Sequence, residues 1–428
     1  MRTGPVTLFL SGDVMLGRGV DQILPHPGDP VLEEAFVRDA RAYVRMAEDA
    51  HGSIPAPVDF SWPWGDALPV LEKAGPDARV VNLETSVTEG GAFWPGKQVH
   101  YRAHPANLPC LAEARPDVCS LANNHVMDFG YAGLADTLAA LSAVGLRAAG
   151  AGRDAQEARA PVAVPVDGGG RVLVFAVGLA SSGIPPDWAA GEDRPGVGLV
   201  SAGTGAADVV ARVRRAREPG DVVVVSVHWG GNWGYDVSRE VAFAHALVDG
   251  GVDVVHGHSS HMPRPIEVYR DRLVLYGCGD LVNDYEGIPG YEEYRDDLRL
   301  LYLASVEPGT GRLLDLRMVP LRARRMRLWR APSEDVRWLR RRLTDVSARF
   351  GCVLVRDGEG LALRVGPTAR PPGSGRSRRG RERSAPRRPG EPPVLRTGPA
   401  PAGTGTPRVL PGGQATPGTA AVAGRTRG

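Results

Sequence analysis

The chain has 428 residues, 43% hydrophobic and 23% charged, enough for one large or two ordinary domains with a substantial core. Its formal net charge is +2, but Ala369 to Gly428 holds twelve Arg and two Glu; the remaining −8 on residues 1–368 argues against a nucleic-acid platform. Four scattered cysteines without a C-x-x-C pair exclude a zinc–cysteine cluster and a dense disulfide framework, and read as small buried hydrophobes.

The N-terminus carries one Arg and a single short apolar run, VTLFL, without the longer h-region or cleavage site of a signal peptide. No segment approaches the ~20 apolar residues of a membrane span, so a soluble, cytoplasmic protein without a transmembrane segment is expected. Short apolar runs then alternate with helical patterns, which points to an α/β layered fold. Strands are predicted at 6–12, 78–84, 117–123, 171–178, 221–229, 252–257, 272–279 and 299–307. Between the first two, residues 24–66 set Pro25, Pro27, Pro30, Pro55, Pro57 and Pro63 around a helix-like middle, 31–49, and read as an insertion or lid. YAGLADTLAALSAVG predicts a helix with Leu134, Leu138 and Leu141 on one face and Gly145 as its stop. AADVVARVRRARE and SREVAFAHALVDGG predict two more, and 333–351 a late amphipathic helix with Ser333 as cap. The expected divisions are a main domain over 1–330, a helix and strand extension over 331–366, and a basic tail over 367–428. That tail is rich in Pro, Gly and Arg and cannot bury enough apolar surface to offset its ordering entropy, so disorder is expected there.

The chemistry-bearing residues share one position, the end of an apolar strand. Asp13 follows VTLFLSG, Glu84 follows VVNL, Asn124 and His125 follow VCSLAN, His228 follows VVVVSV, and His258 and His261 follow VDVVHG. Ligands of open α/β sheets bind outside the carboxyl ends of strands, so these groups are expected to meet at one edge. Taken singly, an Asp after a strand is most often a turn residue, and NLE is weak. GHSSH after a valine run is the most specific piece, because solvated loops rarely need three imidazoles. Oxygen plus imidazole without thiolate suits Zn, Mn or Fe at a catalytic site. A carboxylate shared by two ions would support hydrolytic attack on phosphorus or carbonyl. GAFWPGKQ (91–98) matches G-x4-G-K but ends in Gln98 and leads into no helical pattern, so a phosphate-binding P-loop is not expected.

SGDVMLGR, VVNLETSV, LANNHVMDFGYAGLADTLAALSAVGLRAAGAG, SVHWGGNWG, DVVHGHSSHMPRPIEVY and LVLYGCGDLVND resemble, in that order over about residues 6–320, the capsule (poly-gamma-glutamate) biosynthesis proteins of the CapA type. The resemblance implies a calcineurin-like metallophosphoesterase fold, a four-layer α/β/β/α sandwich, with one or two divalent ions (Mn, Zn or Fe). It implies Asp13 as a metal-binding and catalytic residue and Glu84 in the place of a bridging Asp. Asn124, His228, His258 and His261 would be further ligands, His125 would face substrate as a catalytic residue, and His256 would stand behind the ligands. Four departures leave the number of ions open. Met15 replaces the His of Asp-x-His, GHSSH stands for GHHPH, GGNWG lacks a Glu and has Asn232 nearby, and Asp280 replaces an Asn.

Around this site Lys97, Arg102 and Arg264 are expected to neutralise an anionic substrate. Trp229, among the tryptophans near it (Trp62, Trp64, Trp94 and Trp233), is expected to wall the groove. The expected function is a metal-dependent hydrolase-type site acting on an anionic polymer, peptide or phosphoester, with an imidazole of His125 titrating near neutrality as proton donor. The alternatives are a metal-free peptide epimerase on the same fold and a non-catalytic subunit of a polymer-synthesis complex. Oligomeric state leaves no signal in the sequence.

Overall fold

The computed structural model describes residues 4–366, so the tail expected from 367 lies outside the described residues. Eight predicted strands are present with shifted ends: Val6–Val14, Ala78–Leu83, Val118–Ser120, Arg171–Leu179, Val222–His228, Val254–His258, Arg272–Leu275 and Leu298–Val306. The run expected to reach 279 stops at Leu275, and a separate short strand, Asp280–Val282, follows.

They form two main sheets. The first runs Cys352–Asp357, Gly360–Val365, Leu313–Arg324, Leu298–Val306, Val6–Val14, Ala78–Leu83, Val118–Ser120 and Ala148–Ala149 in spatial order, with Asp280–Val282 also paired to Val6–Val14 and Arg327–Arg330 to Leu313–Arg324. The second runs Leu199–Val200, Arg171–Leu179, Val222–His228, Val254–His258, Arg272–Leu275 and Ile266–Tyr269, with Val162–Pro165 beside Arg171–Leu179.

Side chains alternate across a strand, and here the alternation sorts the layers. Val222, Val224 and Val254 join Leu8, Leu10 and Val80 in the core between the sheets. Val223, Val225, Val227 and Val255 turn to the other face and pack with Val209, Val213 and Leu247 from the helices Gly205–Ala216 and Val241–Asp249. On the far side of the first sheet, Phe9 and Val81 pack with Leu71, Leu111, Leu134 and Leu141 from its own helices. The result is helix, sheet, sheet, helix: the four-layer sandwich. Each buried Val or Leu contributes on the order of 1.5–3 kcal/mol, so the valine-rich strands fix the register of the layers. Among the described residues no helix is long and apolar enough to cross a membrane.

Three local expectations change. The insertion 24–66 is helical only over Arg41–His51, because residues 31–40 close an irregular loop around the Val31–Asp39 bridge. Ser333 is the first residue of the helix Ser333–Ser347 and does not cap it; Pro332 holds the cap position and no side chain caps the turn. The 331–366 segment is not an appendage. Val336, Leu339 and Leu343 enter the core between the sheets, and Gly360–Val365 pairs with Leu313–Arg324. Gly145, at φ 75°, stops its helix as expected.

Candidate metal centre

At the carboxyl ends of the central strands the core between the sheets turns polar. The face that carries Val222 and Val224 continues as Ser226 and His228, and the face of Val254 continues as His256 and His258, all fully buried. From the first sheet come Asp13 and, in parallel register beside it, Asp280 and Asn82. Gly12 lets these chains approach: a Cβ there would lie 1.9 Å from the Gly279 carbonyl oxygen, and the next residue's amide, Asp13 N, donates to that same oxygen at 2.9 Å.

Asn82 organises the carboxylates. Its Nδ2 donates to Asp13 Oδ1 (2.8 Å) and to Glu84 Oε2 (3.0 Å), while its Oδ1 accepts from Asn123 Nδ2 (3.1 Å). Asp13 Oδ2 is buried with no hydrogen-bond partner. Two triads converge on Asp13, one with His228 and His258 and one with His261 and Asp280, their donor atoms all within 4.8 Å of one another. Glu84 Oε1 lies 3.9 Å from His228 Nε2 and from His125 Nε2. Asn124, half-buried, meets His228 Nε2 through Oδ1 at 2.8 Å.

The imidazoles are oriented by a relay that starts on the backbone. The Ser11 carbonyl accepts from His256 Nε2 (2.7 Å), which leaves the lone pair on His256 Nδ1. Ser226 Oγ donates to that nitrogen (3.2 Å) and accepts from His258 Nε2 (2.8 Å). His258 Nδ1 is therefore left with its lone pair turned to His228 Nδ1, 2.8 Å away. Burial keeps these rings neutral: it lowers His256 to about 4 and holds His228 and His258 well below the ordinary range.

The carboxylates respond in the opposite sense. Burial, then the charge of Asp280, raises Asp13 to about 7, and burial with Asp13 raises Glu84 well above its usual value. His261 is raised too, because Asp280, whose Oδ1 accepts from its Nδ1 at 2.9 Å, outweighs burial. A buried orphan carboxylate oxygen, crowded acids and inward lone pairs make a donor set that fits a divalent cation, with Asp13, His228 and His258 on one side and Asp13, His261 and Asp280 on the other.

His125 lies at the rim, with the Tyr101 ring edge-on at 4.4 Å. Its Nδ1 donates to Asp128 Oδ2 (2.6 Å), and Asp128 Oδ1 pairs with Lys97 Nζ (2.6 Å). Burial, then Lys97 and Arg18, push the His125 imidazole well below the ordinary range. The ring is thus neutral near pH 7 with a lone pair on Nε2, a proton acceptor and not the near-neutral donor expected.

The structure brings together Asp13, Glu84, Asn124, His125, His228, His258, His261 and Lys97. Lys97 is spent on Asp128 and the Val99 carbonyl. Three substrate-binding expectations fail. Trp229 is fully buried among the second sheet's helices, its Nε1 donating to the Tyr276 carbonyl, since the alternation that sends His228 inward sends its neighbour outward. Arg264 is buried and braces the Gly231 and Gly234 carbonyls. Arg102 stacks on Phe129 and pairs with Asp29. Besides Tyr101, the site has Tyr285, 4.9 Å from His261, and Trp233, 5.3 Å from His261 and stacked on Tyr291 at 3.9 Å. Sequence reasoning also missed Asn82 and Ser226; only the two-residue spacing of Asn82 to Glu84 and of Ser226 to His228 signalled them. Asp280, read as a departure, faces Asp13 from the neighbouring strand, and buried Met15 adds no ligand.

Comparison with known proteins bears out the family resemblance. The family model described as "Bacterial capsule synthesis protein PGA_cap" matches residues 7–285. A probable polyglutamine synthesis accessory protein of Mycobacterium tuberculosis is 54% identical over 368 residues, covering 85% of this chain and 97% of that protein. The PGA biosynthesis protein CapA of Bacillus subtilis is 25% identical over 303 residues, 70% of this chain and 68% of its own length. The capsule biosynthesis protein CapA of Bacillus anthracis is 27% identical over 288 residues, 65% and 60% respectively. The chain belongs to the bacterial capsule synthesis family of CapA-type proteins.

Proposed function

We propose that this chain is a metal-dependent hydrolase of the CapA type that cleaves a bond in an anionic polymer, peptide or phosphoester during capsule-like polymer metabolism. The observation that carries this reading is Asp13, shared by two His/Asp triads with its outer oxygen buried and unpaired. A divalent ion held there would supply Lewis acidity to the bond under attack. The chain's own residues do the rest. His125 Nε2 faces the centre with a lone pair and takes up the proton released by an attacking water. Asp128 fixes the ring through Nδ1 and steadies the imidazolium that forms, and Lys97 offsets the charge of Asp128 when the ring is neutral. Asn82 holds Asp13 and Glu84 in place and acts as a positioning residue.

A second reading has its own support. The Mycobacterium tuberculosis relative carries the word accessory in its name, and Met15 stands where the metallophosphoesterase superfamily has an imidazole, which favours a binding subunit of a polymer-synthesis complex. Elemental analysis after loading with Mn, Zn or Fe, coupled to a phosphoester and peptide hydrolysis screen, separates the two. Bound metal with turnover supports the hydrolase. A protein that retains none of the three ions refutes it.

A further inference from the structure

The hairpin made by Leu313–Arg324 and Arg327–Arg330 reads LRARRMRLWR over residues 321–330, five arginines in ten positions on a body whose net charge is −8. Arg322 pairs with Asp297 and Asp335. Arg324, Arg325, Arg327 and Arg330 make no ion pair among the described residues, and the Nε atoms of Arg325 and Arg327 are buried with no hydrogen-bond partner. Glu286 and Asp66 accept from the backbone amides of Arg325, Met326 and Arg330, but the four guanidinium groups form no ion pair with them, and two keep an unpaired donor.

The hairpin also lines a groove. A cavity of about 610 Å³ is walled by Arg322, Arg324, Arg325, Trp329 and Arg330, with no acidic side chain in its wall. It shares Ala50 and His51 with a second cavity of about 360 Å³, which Asn283 and Tyr285 wall on another side. Those two residues touch the candidate centre: Asn283 Nδ2 donates to Asp280 Oδ2 at 2.6 Å, and Tyr285 OH lies 3.5 Å from His261 Nε2. That second cavity carries Glu286, Glu292, Asp296 and Asp297 beside Arg295 and Arg299, so the basic groove is confined to the hairpin.

We propose that this arginine hairpin is a docking surface for a polycarboxylate chain; the choice of ligand rests on the capsule-polymer reading above. Guanidinium forks match carboxylates two oxygens at a time, and free forks in a row suit a repeating acid. Arg325 and Arg327 stack on Trp62, and Arg327 on Trp329, so guanidinium groups compete with any base for these rings; Trp329 is 39% exposed, and an oligothymidylate probe decides between a polycarboxylate and a nucleic acid. The chain's own tail, at +10, is the wrong sign to fill the groove.

The test uses the full chain and fluorescent poly-γ-glutamate at low salt, with thermal midpoints checked. Arg324 and Arg330 are exposed and unpaired among the described residues, so Arg324→Gln with Arg330→Gln leaves the core untouched. The expected result is binding weakened at least ~10-fold and a shallower salt dependence, while Arg387→Gln with Arg388→Gln in the tail changes it less than ~2-fold. Unchanged binding in the hairpin variant, or an equal loss in the tail variant, overturns the proposal. So does tighter binding of an oligothymidylate of matched charge through the same arginines. The hydrolase reading fails separately: the hairpin variant keeps its metal, and Asp13→Ala keeps polymer binding while losing metal.

Discussion

Of the side chains that converge on the centre, Asp13, Glu84, Asn82, Asn124 and Asp280 stand on or beside strands of the first sheet, whereas His228, His258 and His261 come from the second. Each set crowds like with like. Burial, then the neighbouring acids, raise Asp13 and Glu84; burial drives His228 and His258 neutral, while Asp280 keeps His261 raised. The oxygen set has crowded carboxyls and an unpaired oxygen, and in the nitrogen set His228 Nδ1 and His258 Nδ1 meet at 2.8 Å. The contrast places the chemistry at the junction: neither sheet holds a complete set of ligands, so the centre exists only when the two are packed.

The most severe break is at the one residue common to both triads. Asp13→Ala is expected to weaken binding of every ion by at least ~10²-fold, measured by elemental content after loading and dialysis, whereas His258→Ala removes a ligand from one triad only. Equal losses in the two variants would mean that the triads do not act separately.

The two sheets should also answer pH with opposite signs in metal-free protein. His256 sits at about 4 in the fold against an ordinary 6.5, so between these values the unfolded chain binds a proton that the native state refuses. Its contribution to stability therefore falls as pH drops from about 6.5 to about 4. Asp13 sits at about 7 against an ordinary 3.8, so the native state holds the proton in between, and stability falls as pH rises through that range. Each effect is worth roughly 3–4 kcal/mol at full extent. Urea unfolding of His256→Gln should show wild type losing relative stability at the acid end, and Asp13→Asn the reverse at the neutral end. Gaps that stay constant with pH would remove both assignments.

At the rim, His125→Asn is expected to keep metal and fold while turnover on a verified substrate falls at least ~100-fold, since the amide cannot take up the proton at Nε2. Unchanged turnover would leave His125 as no more than the partner of Asp128.

Much of this is legible in the sequence, for a specific reason. Strand ends are marked by where a valine run stops, and that mark alone assigns Asp13, Glu84, Asn124, His228, His258 and His261 to one edge. Side-chain direction lies in the same signal: period two separates His228 from Trp229 without further information. What no local pattern carries is partnership across the fold. Lys97 looks free in a linear reading yet ends beside Asp128, 31 residues on, and Arg264 turns back onto the carbonyls of Gly231 and Gly234. The extension after residue 330 reads as a helix and strand added to the main domain, and Val336, Leu339 and Leu343 of that helix enter the core between the sheets.

The smallest expected effect probes how the nitrogen side is prepared. Ser226→Ala removes no ligand and no charge; it deletes the hydroxyl that passes the constraint of the Ser11 carbonyl through His256 to His258. Without it His258 can place its proton on Nδ1, the atom turned to the centre, and must shift it before binding an ion. Partners that orient a ligating imidazole typically contribute 10–100-fold in metal affinity, and with the ring still packed between His228 and His256 the low end, ~10-fold, is expected. Asn82→Ala is the matching change on the oxygen side and should cost more, because the Asn82 amide holds Asp13 and Glu84 at once. If Ser226→Ala binds metal as wild type does while Asn82→Ala does not, the imidazoles need no relay, and the oxygen sheet alone sets the geometry of the centre.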